Sequence, residues 1–105
     1  MKVRMVVVRP GAEPVAEDVA GFQGVKQLLG GAHLERIRFG PYDVLCDEDG
    51  LRKQLPNNRG GLVGIFVVTH LTDPDLTPLT DAEVAEVLAA MAAPWVPITE
   101  ASGHA

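Results

Sequence analysis

The run from Leu62 to Leu71 constrains this chain more than any other feature. Its centre, Ile65-Phe66-Val67-Val68, offers no polar side chain to turn toward water. A short apolar run of this kind, rich in β-branched residues, reads as a strand buried on both faces. The chain must therefore build a sheet around it.

Partners for that strand are legible on its N-terminal side. Val3 to Arg9 is rich in valine, and Pro10-Gly11 marks the turn that ends it. Pro14 to Val19 reads as a second short strand, with Val15 and Val19 facing one way. His33 to Phe39 alternates, with Ile37 and Phe39 on one face and Arg36 and Arg38 on the other. Gly40-Pro41 makes a turn, and Tyr42 to Cys46 returns as the hairpin partner. Asp49-Gly50 reads as a further turn, since both residue types tolerate positive φ, with Leu51 to Leu55 extended after it. Pro74 and Pro78 hold an extended loop after the apolar run.

Two segments have helical spacing. Phe22, Val25, Leu28 and Leu29 share one face, and Gly30-Gly31 supplies the left-handed residues of a helix end. Gly21 and Gly24 oppose this helix by about 1 kcal/mol each. The second helix is better signalled. Thr80 and Glu83 form a capping box, and Leu79 with Val84 forms the matching hydrophobic staple. Val84, Val87, Leu88 and Met91 make its apolar stripe, and Pro94 stops it near Ala93. The expected fold is α+β: a curved, largely antiparallel sheet of four or five strands with two helices. At 105 residues the chain fits one domain, drawn here as 1–98, with a loose tail over 99–105. Only five aromatics are present, so the core must rest on Val, Leu and Ala.

Charge is unevenly placed. All nine Lys and Arg lie at or before Arg59, against eight acids there, while residues 60–105 carry six acids and no base. An acidic C-terminal part disfavours nucleic acid, which needs a basic stripe. It serves solubility, or else it meets a basic partner or mimics a nucleic-acid backbone. The lone Cys46 can form no internal disulfide, which fits a reducing compartment. No run reaches the length of a membrane span, and the opening apolar run is too short for a signal peptide. The expected location is the cytoplasm, with no membrane contact.

The polar groups that could bind something gather between two apolar runs. They are Asp47, Glu48, Asp49, Asn57, Asn58, Arg59 and Gly60, a loop of acids, amides and one arginine. An EF-hand reading fails, because its first and last ligand positions fall on Leu45 and Pro56. His33, His70 and His104 share no ligand spacing with Cys46, so no metal is expected. The acids beside Cys46 disfavour its thiolate and argue against a nucleophile. Gly60-Gly61-Leu62-Val63-Gly64 leads into a strand rather than a helix, which makes it a flexible approach and not a phosphate loop. Asn in such a loop favours turns. Arg59 either pairs with Asp47, Glu48 or Asp49 or captures an anion.

Taken in order, several short motifs resemble a known family. Arg9-Pro10-Gly11-Ala12-Glu13-Pro14 follows the first strand, and Leu28-Leu29-Gly30-Gly31 ends the first helix, with Leu34-Glu35 beyond it. Cys46-Asp47-Glu48-Asp49-Gly50, Leu55-Pro56-Asn57-Asn58 and Gly64-Ile65-Phe66-Val67-Val68 complete the set. Together they resemble the family catalogued as domain of unknown function 3846, over roughly Lys2 to Met91. The family's Pro-x-Asn feature corresponds to Pro56 and Asn58. Where members often add polar residues before the last strand, this chain runs straight into Gly60-Gly61, so its loop is trimmed. The resemblance implies a small protein of phage, plasmid or bacterial context and supplies no catalytic residue.

No nucleophile–base pair, metal cluster or phosphate loop is legible, so no enzyme activity and no cofactor is expected. The first expectation is a non-catalytic binding protein from a phage or mobile element that modulates a host protein. Its surface would combine the loop with the acidic helix face of Glu83 and Glu86. The alternative is binding or sequestering of a small anionic, nucleotide-like ligand through Asn57, Asn58, Arg59 and the backbone of Gly60-Gly61.

Overall fold

A computed structural model describes residues 2–72 and 75–92, and in it the apolar run becomes the hub of a sheet. The strands are β1 (Val3–Val8), β2 (Val15–Val19), β3 (Leu34–Phe39), β4 (Tyr42–Asp47), β5 (Phe66–Thr72) and β6 (Asp75–Thr77). The helices are α1 (Gly21–Leu28) and α2 (Asp81–Ala92). The strand order is β2-β1-β5-β4-β3, with β6 also paired to β5, and every pairing is antiparallel. The register sets Val68 between Val6 and Val44, and Val67 between Val7 and Leu45.

Successive side chains of these central strands point to opposite faces, so two apolar layers form. One layer joins Val6, Val8, Val44, Phe66 and Val68 to Val84, Val87 and Met91 of α2. The other joins Met5, Val7, Leu45 and Val67 to Val25 of α1, with Leu29, Ala32 and Leu76 beside it. Each fully buried Val or Phe side chain contributes roughly 1.5–3 kcal/mol.

The helix ends form as their residues dictate. The Gly31 and Gly30 N–H groups donate to the Lys26 and Gln27 carbonyls, and both glycines have positive φ. That double bond is the left-handed helix end the glycine pair calls for. Gly24 stays in α1 despite its low propensity because a Cβ there would lie 2.7 Å from a Val19 methyl. At α2 the Glu83 N–H donates to Thr80 Oγ1, and the Thr80 N–H donates to Glu83 Oε1. Leu79 and Val84 are both buried in the α2 layer, as the staple requires.

Three expectations need correction. Among the described residues the sheet has six strands, because Asp75–Thr77 pairs with β5 where an extended loop was expected. β5 begins at Phe66 and not Leu62, because Gly64 has positive φ and Leu62 closes a 3-10 turn over Arg59–Gly61. Residues 51–55 coil rather than extend, with the Lys53 N–H donating to the Asp49 carbonyl and the Leu55 N–H to the Gly50 carbonyl. The Pro74 position, the helix stop at Pro94, the boundary at 98 and the tail lie outside the described residues.

The polar face of β3 is explained by Asp43 on the neighbouring strand. Asp43 is 2% exposed and accepts from Arg36, Arg38 and the Leu71 N–H. Burial pushes this carboxyl up, but the Leu71 N–H and the two arginines outweigh it and hold it below its ordinary value. At Asp47 burial is likewise outweighed, there by Lys53 and the Asp49 N–H. A carboxyl with a lowered folded-state pKa stabilises the fold above its unfolded value and loses that contribution as pH falls through the folded value. Urea midpoints should therefore fall below about pH 4, and Asp43→Asn should flatten this acid limb. An unchanged limb in the variant would place the acid sensitivity elsewhere.

Candidate binding site

Residues 48–65 leave β4 and return to β5 as a loop held by its own hydrogen bonds. Asp47, at the loop's base, is buried and accepts from Lys53 Nζ at 2.8 Å and from the Asp49 N–H at 2.8 Å. Asp49 pairs with Arg52 at 3.3 Å. The Glu48 side chain is exposed, and its N–H donates to the His33 carbonyl. Gly50 does not have the positive φ expected of it. It is glycine for space, since a Cβ would lie 2.7 Å from a Val63 methyl.

The second half of the loop is stitched more tightly. Asn57 bridges Val63, the Asn58 N–H donates to the Leu62 carbonyl, and the Gly64 N–H donates to the Pro56 carbonyl. Gly60, in the turn between, has φ 70°. The Asn58 side chain is the central tie. Its Nδ2 donates to the Gly64 carbonyl at 2.7 Å and to the Val8 carbonyl at 3.0 Å, and its Oδ1 accepts from the Arg59 N–H at 2.8 Å. The glycine-rich stretch is thus bonded to the end of β1 and is no loose approach to β5.

Arg59 does not pair with the loop's acids; Lys53 meets Asp47 and Arg52 meets Asp49. Its guanidinium instead donates to the Ala12 carbonyl at 2.9 Å, across to the β1–β2 turn. Among the described residues every other arginine meets a carboxylate, and Arg59 does not. Pro10, two residues before Ala12, lines an open pocket of about 430 Å³ together with Leu28, Leu29, Leu55, Pro56, Gly64 and Ile65. Its volume falls within the range of roughly 300–1,000 Å³ typical of ligand sites. A smaller cleft of about 140 Å³ lies between Cys46, Glu48, Leu51 and Val63. There burial, then Glu35 and Asp47, push the Cys46 thiol up to about 11, which removes its thiolate at neutral pH. Leu51 is 80% exposed on the same loop.

Glu83 and Glu86 do not join this surface. Glu86 accepts from the Tyr42 hydroxyl at 2.6 Å, and Tyr42 opens β4 while the loop leaves its far end. Glu83 meets His70 Nε2 at 2.6 Å in addition to closing the capping box. The Tyr42 and His70 rings stack with centroids 5.2 Å apart. Burial, then the bond to Glu86, push the Tyr42 hydroxyl up to about 12. The Thr80 N–H, then His70, hold the Glu83 carboxyl below its usual range. These two acids fasten α2 to the sheet, so reversing their charge disturbs packing as well as any surface.

Sequence reasoning found the loop and missed its partners. Pro10, Leu28, Leu29 and Ile65 read as element ends or core, and nothing local says that they converge. The signal available was that Leu28-Leu29 and Leu55-Pro56 bring apolar residues right up to polar turns. Among the described residues no helix is long and apolar enough to cross a membrane, and no three His, Cys, Asp or Glu side chains are placed to hold a metal ion.

A family model described as Domain of unknown function (DUF3846) matches residues 1–92. No curated protein and no solved structure matches the chain. The chain belongs to the DUF3846 family.

Proposed function

We propose that this family member is a non-catalytic binding protein and that the loop end of its sheet is the working surface. Its target on this reading is a host protein, and its source a phage or mobile element. The observation that carries the reading is the open apolar pocket on a loop already fixed by its own bonds. A surface ordered before binding loses little entropy when a partner docks, and a pocket at its centre can hold an anchor side chain. A phage or plasmid context is what the family resemblance implies.

The test fills the pocket. Leu28→Trp, at the pocket wall, should lower capture of a bacterial host protein on the immobilised chain by about 10-fold or more. Ala89→Lys, on the exposed side of α2, should leave capture unchanged. The opposite pattern would move the surface to α2. A second reading, a small anionic ligand, is favoured by one observation: Arg59 meets no carboxylate among the described residues. On that reading a bound small-molecule mass accompanies the purified protein in native mass spectrometry and is lost in Arg59→Ala.

A further inference from the structure

The pocket and the cation tied next to its Pro10 wall segment make two different demands on an occupant. The walls, including Leu28, Leu55 and Ile65, call for an apolar group. Arg59 keeps guanidinium N–H groups beyond the one given to Ala12, and it is tied within two residues of the pocket wall at Pro10. Lys26, on the helix whose end forms another wall, also meets no carboxylate among the described residues. Among the described residues Arg4, Arg9, Arg36, Arg38, Arg52 and Lys53 are all paired, and Lys2, on the first strand's N-terminal side, is the third base that is not. In a chain of net charge -5, two of its unpaired bases therefore lie on segments that adjoin the pocket walls, Arg59 three residues after Pro56 and Lys26 two residues before Leu28. An acidic partner is repelled by most of the surface and attracted here.

We propose that the pocket seats an acidic, apolar segment of a protein partner. An apolar side chain enters between Leu28, Leu55 and Ile65, and a neighbouring carboxylate pairs with Arg59. This rests on the binding role proposed above and adds the chemistry of the partner. The pocket opens to solvent at the end of the sheet, which suits a side chain projecting from another protein better than an enclosed small molecule.

The experiment selects peptides from a random library on the immobilised full chain. Enriched peptides should combine Leu, Ile, Phe or Trp with nearby Asp or Glu. Arg59→Gln should weaken them about 10-fold, the loss expected for one charge-assisted hydrogen bond. Pro56→Lys, at the exposed rim, should strengthen them, a change that a folding defect cannot produce. Basic or acid-free winners, no enrichment, or affinities unmoved by Arg59→Gln would overturn the proposal. So would a titration in which decanoate shifts the Leu28, Leu55 and Ile65 amide signals while the library yields nothing, since the pocket would then be a small-acid site. Host-protein capture that is blocked by Leu28→Trp but indifferent to Arg59→Gln would keep the binding role and remove this partner chemistry.

Discussion

Asn58→Ala should destabilise the protein by about 3 kcal/mol and release the loop while the sheet survives. The side chain makes three bonds at once: to the Val8 carbonyl, the Gly64 carbonyl and the Arg59 N–H. Each bond lost from a partly buried group costs roughly 1 kcal/mol, and more where water cannot replace it. The bond to Val8 spans fifty positions in the chain and fastens the loop to the central strand pair. A melting temperature lower by about 12 °C or more is expected, at roughly 4 °C or more per kcal/mol for a domain of this size. The neighbouring Asn57→Ala is the control. Its side chain is exposed and hydrogen-bonds no other strand among the described residues, so a change within about 0.5 kcal/mol is expected. Equal melting temperatures for the two variants would mean that Asn58 is not the tie described here.

Val67→Asp should abolish cooperative folding. Val67 has no exposed surface and sits between Val7 and Leu45 at the centre of the α1 face. The substitution loses roughly 1.5–3 kcal/mol of apolar burial. It also places a carboxyl among apolar neighbours with no donor provided, at a further cost of several kcal/mol. The total is comparable with the roughly 5–15 kcal/mol that holds a whole domain together. Val15→Asp, at a position 47% exposed on β2, should fold and melt close to the parent. A soluble Val67→Asp protein with a sharp thermal transition would remove β5 from the centre of the sheet.

The fold was legible where a local signal and burial agree. Thr80 and Glu83 mark the start of α2, and Gly30-Gly31 marks the end of α1, because each feature is satisfied within one turn of chain. The unbroken apolar centre of β5 had no alternative to two-sided burial. Strand β6 was missed because a single apolar residue, Leu76, between two polar ones next to a proline is too short a pattern to read as a strand. The coil at 51–55 was missed because its bonds run back to Asp49 and Gly50, and the residues themselves carry no strong preference. In the site, the identity of the loop was legible and its wiring was not. Arg59 has acids within twelve residues, yet it bonds Ala12, forty-seven positions away, while Lys53 takes Asp47 and Arg52 takes Asp49. Glu83 and Glu86 looked like a free acidic face, since Tyr42 and His70 lie on strands that no helical pattern can place.

The claim that the loop end is a surface ordered before it binds is tested most directly by amide hydrogen exchange. The free chain and the chain carrying its captured host protein are compared. In the free chain, the Asn58, Leu62 and Gly64 amides should be protected, because each donates or closes a bond inside the loop. In the complex, added protection should fall on residues 55–65, on the turn at 9–12 and on the end of α1. Free loop amides that exchange as fast as an unstructured chain, or added protection confined to β3 and α2, would contradict the account.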